Sequence, residues 1–217
     1  RSAVAMSFMK LKFILLILTV AVNLQGLEFQ KYTDVLPPPK EALFFEELPN
    51  NIVKCGLCPW ECTLKDGERG ICRVRENRKG KLISLSFGRA VTVNAVDPIE
   101  KKPFYHFLPG ARTLSVATAG CNVRCKYCQN WSIAQRNPED LDAHYIPPEG
   151  LIRLAGRTKT NVIAFTYSEP VVFYEYMLET AKLAKKHNIR TVVITNGFIN
   201  PEPLKLLCKY VDGIKID

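Results

Sequence analysis

Seven of the eight cysteines fall in two tight sets, and their spacing is what could do chemistry. Cys121-Asn-Val-Arg-Cys125-Lys-Tyr-Cys128 places three thiols within eight residues. Thiolates are soft ligands, suited to zinc and to iron–sulfur clusters. A structural zinc site wants a fourth ligand close by, and no further Cys or His lies between Gly110 and His144. An ordinary electron-carrying cubane takes four cysteines. Three leave one iron with an open position, where the amino and carboxylate groups of S-adenosylmethionine (SAM) can chelate. Chemistry of that kind is the cofactor's; the protein positions and shields it, and no side chain need act as a catalytic group.

The second set is Cys55-x2-Cys58-x3-Cys62-x9-Cys72. Four soft ligands suit either structural zinc or a second iron–sulfur cluster, and spacing alone does not choose between them. Four unligated core thiols are the bland alternative. Cys208 stands apart, on what reads as an apolar helix face, and is expected in the core. Clustered cysteines in a chain of 217 residues read as metal ligands rather than as a disulfide framework, which implies a reducing compartment.

The elements that must position these residues follow from pattern. Residues 113–119 are an apolar strand running into Gly120 and the cysteine loop. Helices are expected over 148–158, where Pro148 suits a first turn, over 173–187, whose Lys185-Lys186-His187 end suits a helix C-terminus, and over 201–210. Strands are expected at 162–166, at the β-branched run 191–195, and from 211 to 217. Alternating strands and helices joined by short links predict a parallel sheet with functional loops at the strand C-terminal ends. Upstream, residues 54–88 form a Cys-rich module with turns at Lys65-Asp66-Gly67 and Lys79-Gly80, and 82–96 alternates in part, as short strands do. The expected organisation is therefore three-part: residues 1–50, a signal-like or anchor segment with a linker containing Pro37-Pro38-Pro39; 51–110, the metal-binding module and the loop DPIEKKPFYHFLPG; 111–217, the strand–helix part.

The loop C-x3-C-x2-C, with Tyr127 just before its last cysteine, resembles the signature of the radical SAM superfamily. The resemblance implies a [4Fe–4S] cluster on Cys121, Cys125 and Cys128, SAM as cofactor, and Tyr127, Ser168, Glu169, Asn196 and Asp217 as SAM-site residues. Glu169 ends the second parallel strand where the superfamily has a Gly-Gly-Glu motif contacting the SAM amino group; Tyr167 and Ser168 stand in place of the glycines. Thr195-Asn196-Gly197 and Asp217 are similar to segments of pyruvate formate-lyase activating enzymes, although Ile194 occupies a place usually acidic there. Taken together, CGLCPWEC, GICRVR, DPIEKKPFYHFLPG and CNVRCKYCQNW resemble the radical SAM family of the AmmeMemoRadiSam system. The implied fold is α/β, a partial (β/α) barrel ending after about its fourth strand, so the sequence reads as truncated, with an N-terminal Cys-rich module. Arg124, Gln129 and Asn130 are placed to hydrogen-bond the cluster; Lys101, Lys102 and His106 are expected to hold their loop more than to line the site.

The implied function is reductive cleavage of SAM to a 5′-deoxyadenosyl radical that activates or modifies a protein or peptide, with an external electron donor. The alternatives are an RNA-modifying radical SAM enzyme and a catalytically incomplete metal-binding fragment. A net charge of +9 is the only feature favouring nucleic acid, and it is spread without a basic run, so nucleic acid is not the expected partner. Lys10 and Lys12 precede an apolar run over 13–22, laid out like a signal sequence. A cytoplasmic-side location is expected, with membrane contact only through that segment.

Overall fold

The computed structural model describes residues 40–217. In chain order its elements are β1 (Lys40–Glu41), β2 (Phe45–Leu48), β3 (Ile52–Cys55), β4 (Thr63–Leu64), β5 (Arg75–Arg78), β6 (Lys81–Ser84), β7 (Arg89–Ala90), β8 (Thr92–Pro98), β9 (Arg112–Ala117), α1 (Trp131–Ala134), β10 (His144–Tyr145), α2 (Pro148–Thr158), β11 (Val162–Phe165), α3 (Tyr174–Lys186), β12 (Arg190–Thr195), α4 (Pro201–Leu207) and β13 (Gly213–Ile216).

Five strands form the main sheet in the order β13-β12-β11-β9-β8. The first four are mutually parallel, with Ala164 level with Ser115 on one side and Val192 on the other. This mixed α/β sheet is consistent with a barrel-like (β/α) radical SAM arrangement, and among the described residues it does not close on itself. Strand β8 lies antiparallel to β9, with a register shift between Asn94 and Asp97. A hairpin-like return of this kind costs no crossover, so a strand upstream of the alternating pattern caps one edge of the sheet.

The central strands are apolar on both faces because both faces are covered. Ile99, Val162, Ala164, Val192 and Ile194 form one core cluster, with Phe104, Phe107 and Ala111 packed over it. The loop after β8 thus serves as a lid of aromatic rings on that face. Helices α2 and α3 pack on each other, and α3 packs on β12. Helix α2 begins with Pro148 in its first turn and ends at Lys159 in the left-handed region; α3 ends in Lys185 and Lys186.

The Cys-rich region is two small antiparallel sheets, β2-β3-β4 and β1-β6-β5. It is joined to the main sheet by specific polar contacts. Arg75 and Glu175, with side chains 2% and 1% exposed, form a buried ion pair. Asn200 donates to Gly56 O at 2.9 Å, and Trp60 Nε1 donates to Asn122 O at 2.7 Å.

Two expectations are corrected. Cys208 is exposed, not core, because α4 stops at Leu207 and Cys208 is its cap. The membrane contact and membrane-anchored location expected of the N-terminal segment are not upheld: among the described residues no helix is long and apolar enough to cross a membrane. The apolar run 13–22 itself lies outside the described residues, as do Pro37, Pro38 and Pro39.

Candidate active site

The cysteine loop leaves β9 through Thr118, Ala119 and Gly120. Gly120 has φ +96°, and a Cβ there would stand 2.6 Å from Val74 Cγ1 and 2.7 Å from Cys72 O. The loop therefore turns against the backbone of the upstream module, and only glycine fits. The next residue fixes the loop from within. Asn122, 1% exposed, donates to Phe198 O at 2.8 Å and accepts from Asn196 Nδ2 at 3.0 Å. Gln135 donates to Val123 O at 2.9 Å.

A cavity of about 330 Å³ opens at the C-terminal ends of β9, β11 and β12. It brings together Cys121, Cys128, Ser168, Glu169, Asn196 and Asp217. Gln129 and Asn130 also line it. Cys125 is exposed on the same loop and Tyr127 is 91% exposed; neither they nor Arg124 are among the lining residues. Among the described residues no three Cys, His, Asp or Glu side chains stand at the spacing that holds a single metal ion.

Glu169 is 3% exposed and caps the short turn of Pro170–Phe173 by accepting from Val171 N at 3.0 Å. It also accepts from Thr195 Oγ1 at 2.5 Å and from Asn196 N at 2.9 Å. Burial pushes its carboxyl above the ordinary range, and those three donors oppose burial without cancelling it. A cationic ammonium group entering the cavity would stabilise the charged form. Asp217 lies on the same side, its N–H donating to Thr195 O at 3.0 Å. Burial likewise pushes the Cys121 thiol up to about 11, so a thiolate there needs a positive centre beside it.

These residues fit a thiolate-held cluster with a SAM ligand in two respects. The donor set is three free thiols on one loop. Ser168 Oγ, buried at the cavity wall, has no hydrogen-bond partner among the described residues and is a polar group left for a ligand.

Residues 115–217 match the model of the radical SAM superfamily. This stretch of the chain belongs to that superfamily. Membership places it in a superfamily of enzymes. An uncharacterized protein of Methanocaldococcus jannaschii is 44% identical over 178 residues, covering 82% of this chain and 53% of the relative. A second uncharacterized protein of that organism is 26% identical over 173 residues, covering 76% of this chain and 46% of the relative. The 7-carboxy-7-deazaguanine synthase of Archaeoglobus fulgidus is 31% identical over 132 residues, covering 58% and 54%. The chain thus spans about half the length of the curated relatives it matches.

The cavity has a second wall that spacing did not reveal. Lys101, Lys102 and Tyr167 line it; His106 is exposed and does not. Lys102, 4% exposed, donates to Asp97 Oδ2 at 2.9 Å and to Tyr167 OH at 3.1 Å. Tyr167 OH in turn donates to Asp97 Oδ2 at 2.9 Å, and Lys101 reaches Asp97 Oδ1 at 3.1 Å. Tyr167 has φ 70°, a conformation glycine takes freely and a tyrosine takes at a cost of about 1–2 kcal/mol. Its bond to Asp97 and the Lys102 Nζ 4.4 Å from its ring centroid hold it there. The only sequence sign of this arrangement was the tyrosine standing where a glycine is usual.

Burial alone would raise the Asp97 carboxyl; hydrogen bonds from Lys102, Tyr167 and Lys101 outweigh it and hold the value at about 2, against an ordinary 3.8. A depressed carboxylate contributes stability above its unfolded value and loses it as pH falls through the folded one. The contribution, about 2 kcal/mol, is expected in full above about pH 4 and gone near pH 2. Urea midpoints measured across that interval should fall more steeply for the wild type than for Asp97→Asn. Parallel curves would show that Asp97 is not so held.

Proposed function

We propose that the chain carries the SAM-cleaving site of a radical SAM enzyme that activates or modifies a protein or peptide. The observation that carries this reading is the convergence of Cys121, Cys128, Ser168, Glu169, Asn196 and Asp217 on one cavity at the sheet's C-terminal edge. Cys121, Cys125 and Cys128 are the residues that would hold a [4Fe–4S] cluster. When bound, the cluster supplies the electron that cleaves SAM to methionine and a 5′-deoxyadenosyl radical, which takes a hydrogen atom from the substrate.

The chain's own groups bind, orient and shield. Glu169, already fixed by Thr195 and Asn196, receives the SAM amino group. Ser168 Oγ and the Asn196 side chain stand beside it as hydrogen-bonding groups. Asn122 holds the cysteine loop at a set distance from the β12 end through Asn196. A macromolecular substrate is supported by exposed rings around the loop, Tyr127 at 91% and Trp131 at 60%, which offer stacking surface outside the cavity. Ile194, buried in the cavity wall where formate-lyase activating enzymes carry an acid, favours a substrate other than formate lyase.

The experiment is anaerobic reconstitution with iron and sulfide, followed by reduction in the presence of SAM and measurement of 5′-deoxyadenosine. The wild-type chain is expected to form it and Cys125→Ala to give none above background. Equal yields from the two would sink this reading.

A further inference from the structure

The upstream cysteines Cys55, Cys58, Cys62 and Cys72 line a small cavity of their own, about 20 Å³. The larger cavity beside Cys121 carries two acids, Glu169 and Asp217, and two cations, Lys101 and Lys102. SAM cleavage gives the acids a role and leaves the cations without one.

The acids have partners. Glu169 receives the SAM amino group, and Asp217 takes Lys215 Nζ at 2.8 Å. The two lysines share a single carboxylate. Asp97 accepts from Lys101 at 3.1 Å and from Lys102 at 2.9 Å, and it is not itself among the lining residues. Held at about 2, it is ionised at neutral pH. Two cations against one anion leave one positive charge uncompensated on this wall.

Donors are left over as well. A lysine ammonium carries three N–H groups. Lys102 uses two of them, on Asp97 Oδ2 and Tyr167 OH. The third has no acceptor among the described residues, and Lys102 is only 4% exposed, so water does not readily replace one. An anion in the cavity would. The group is fixed in place. Lys102 N donates to Ile99 O at 2.8 Å, Ile99 is fully buried, and Nζ stands 4.4 Å from the Tyr167 ring centroid. Lys101, with its side chain 67% exposed, stands at the mouth of the cavity, and Lys102 lies deeper.

SAM does not supply that anion. Its amino and carboxylate groups are those that chelate the open iron, its sulfonium is a cation, and its adenosine is neutral. The rest of the lining suits an anion on an aliphatic stem. Pro103, Val123, Ala134 and Ile194 are apolar, and Ile194 stands where an acid would repel a carboxylate.

We propose that Lys101 and Lys102 receive a carboxylate of the peptide substrate, from an acidic side chain or a free C-terminus, and so select acidic segments for the radical chemistry beside them. The two lysines are specificity-determining residues: they bind and orient, and no bond forms or breaks at them. The role of the bound peptide rests on the SAM-cleaving reading; the binding of a carboxylate stands without it.

The test is saturation-transfer NMR titration of the full chain after anaerobic reconstitution, with three probes. N-acetylglutamate α-amide carries a side-chain carboxylate, N-acetylglycine a terminal one, and N-acetylglutamine α-amide is neutral. One of the acidic probes is expected to bind about tenfold or more tightly than the neutral one, and which of them does so names the source of the carboxylate. That preference should vanish in Lys102→Met and survive in Lys205→Met, which removes an exposed lysine of α4. SAM should leave the probe bound, because cofactor and substrate occupy the cavity together. No preference for either acidic probe, an unchanged preference in Lys102→Met, or an equal loss in Lys205→Met overturns the proposal. Displacement by SAM also overturns it, by assigning the wall to the SAM carboxylate. If Lys102→Met does not fold, Lys101→Met decides in the same way. Selective binding without 5′-deoxyadenosine formation would remove the SAM-cleaving reading alone; 5′-deoxyadenosine formation without selective binding would remove this proposal alone.

Discussion

Glu175→Ala is expected to destabilise the protein by about 3–5 kcal/mol, lowering the thermal midpoint by roughly 10 °C or more for a chain of this size. The Glu175 carboxylate accepts from Arg75 at 3.0 and 3.3 Å and from Leu43 N at 2.8 Å. Both side chains of the pair are sealed from water. Removing the carboxylate strands a buried guanidinium and a backbone donor together, and neither can reach solvent without moving the Cys-rich region off α3. The cost is that of the uncompensated charge rather than of a lost attraction. The paired replacement Arg75→Met with Glu175→Leu should therefore be much milder than Glu175→Ala alone, a contrast read directly from urea midpoints. Equal losses would place the effect in packing instead of charge.

Gly120→Ala is expected to cost roughly 3 kcal/mol or more, combining overpacking with a left-handed conformation that a side chain resists. The nearest atoms to the new methyl are Val74 Cγ1 and the backbone oxygen of Cys72. A side-chain methyl can rotate away; a carbonyl held in a tight turn cannot. The cysteine loop must then lift from the upstream module, carrying Cys121 away from Glu169. Reconstituted Gly120→Ala should show both a lower urea midpoint and less iron per chain than wild type. A neutral substitution at this position would mean that the two cysteine loops do not depend on each other.

Much of the frame was legible without coordinates, for reasons that are local. The helix over 148–158 announces itself through Pro148, and the strand expected at 191–195 through its β-branched run, because such preferences act within a few residues. The seven clustered cysteines are visible as candidate ligands for the same reason: wrapping a metal centre with a loop demands close spacing along the chain. Glu169 was legible through its resemblance to the Gly-Gly-Glu motif that the superfamily carries at the end of the second parallel strand.

Other features depend on contacts that no local pattern carries. Lys102, Tyr167 and Asp97 meet across 65 and 70 residues of sequence, so the loop read as structural instead supplies a wall of the cavity. Cys208 reads as core by helix periodicity and is exposed because the helix ends one residue earlier. The union of the two cysteine loops, through Gly120, Asn122 and Trp60, arises only when the Cys-rich region docks on the sheet. The sequence by itself determined which groups could do chemistry, since ligand type and spacing are properties of the chain. Tertiary structure alone decided which of them share a cavity and which buried charges face each other, since those depend on how distant segments pack and exclude water.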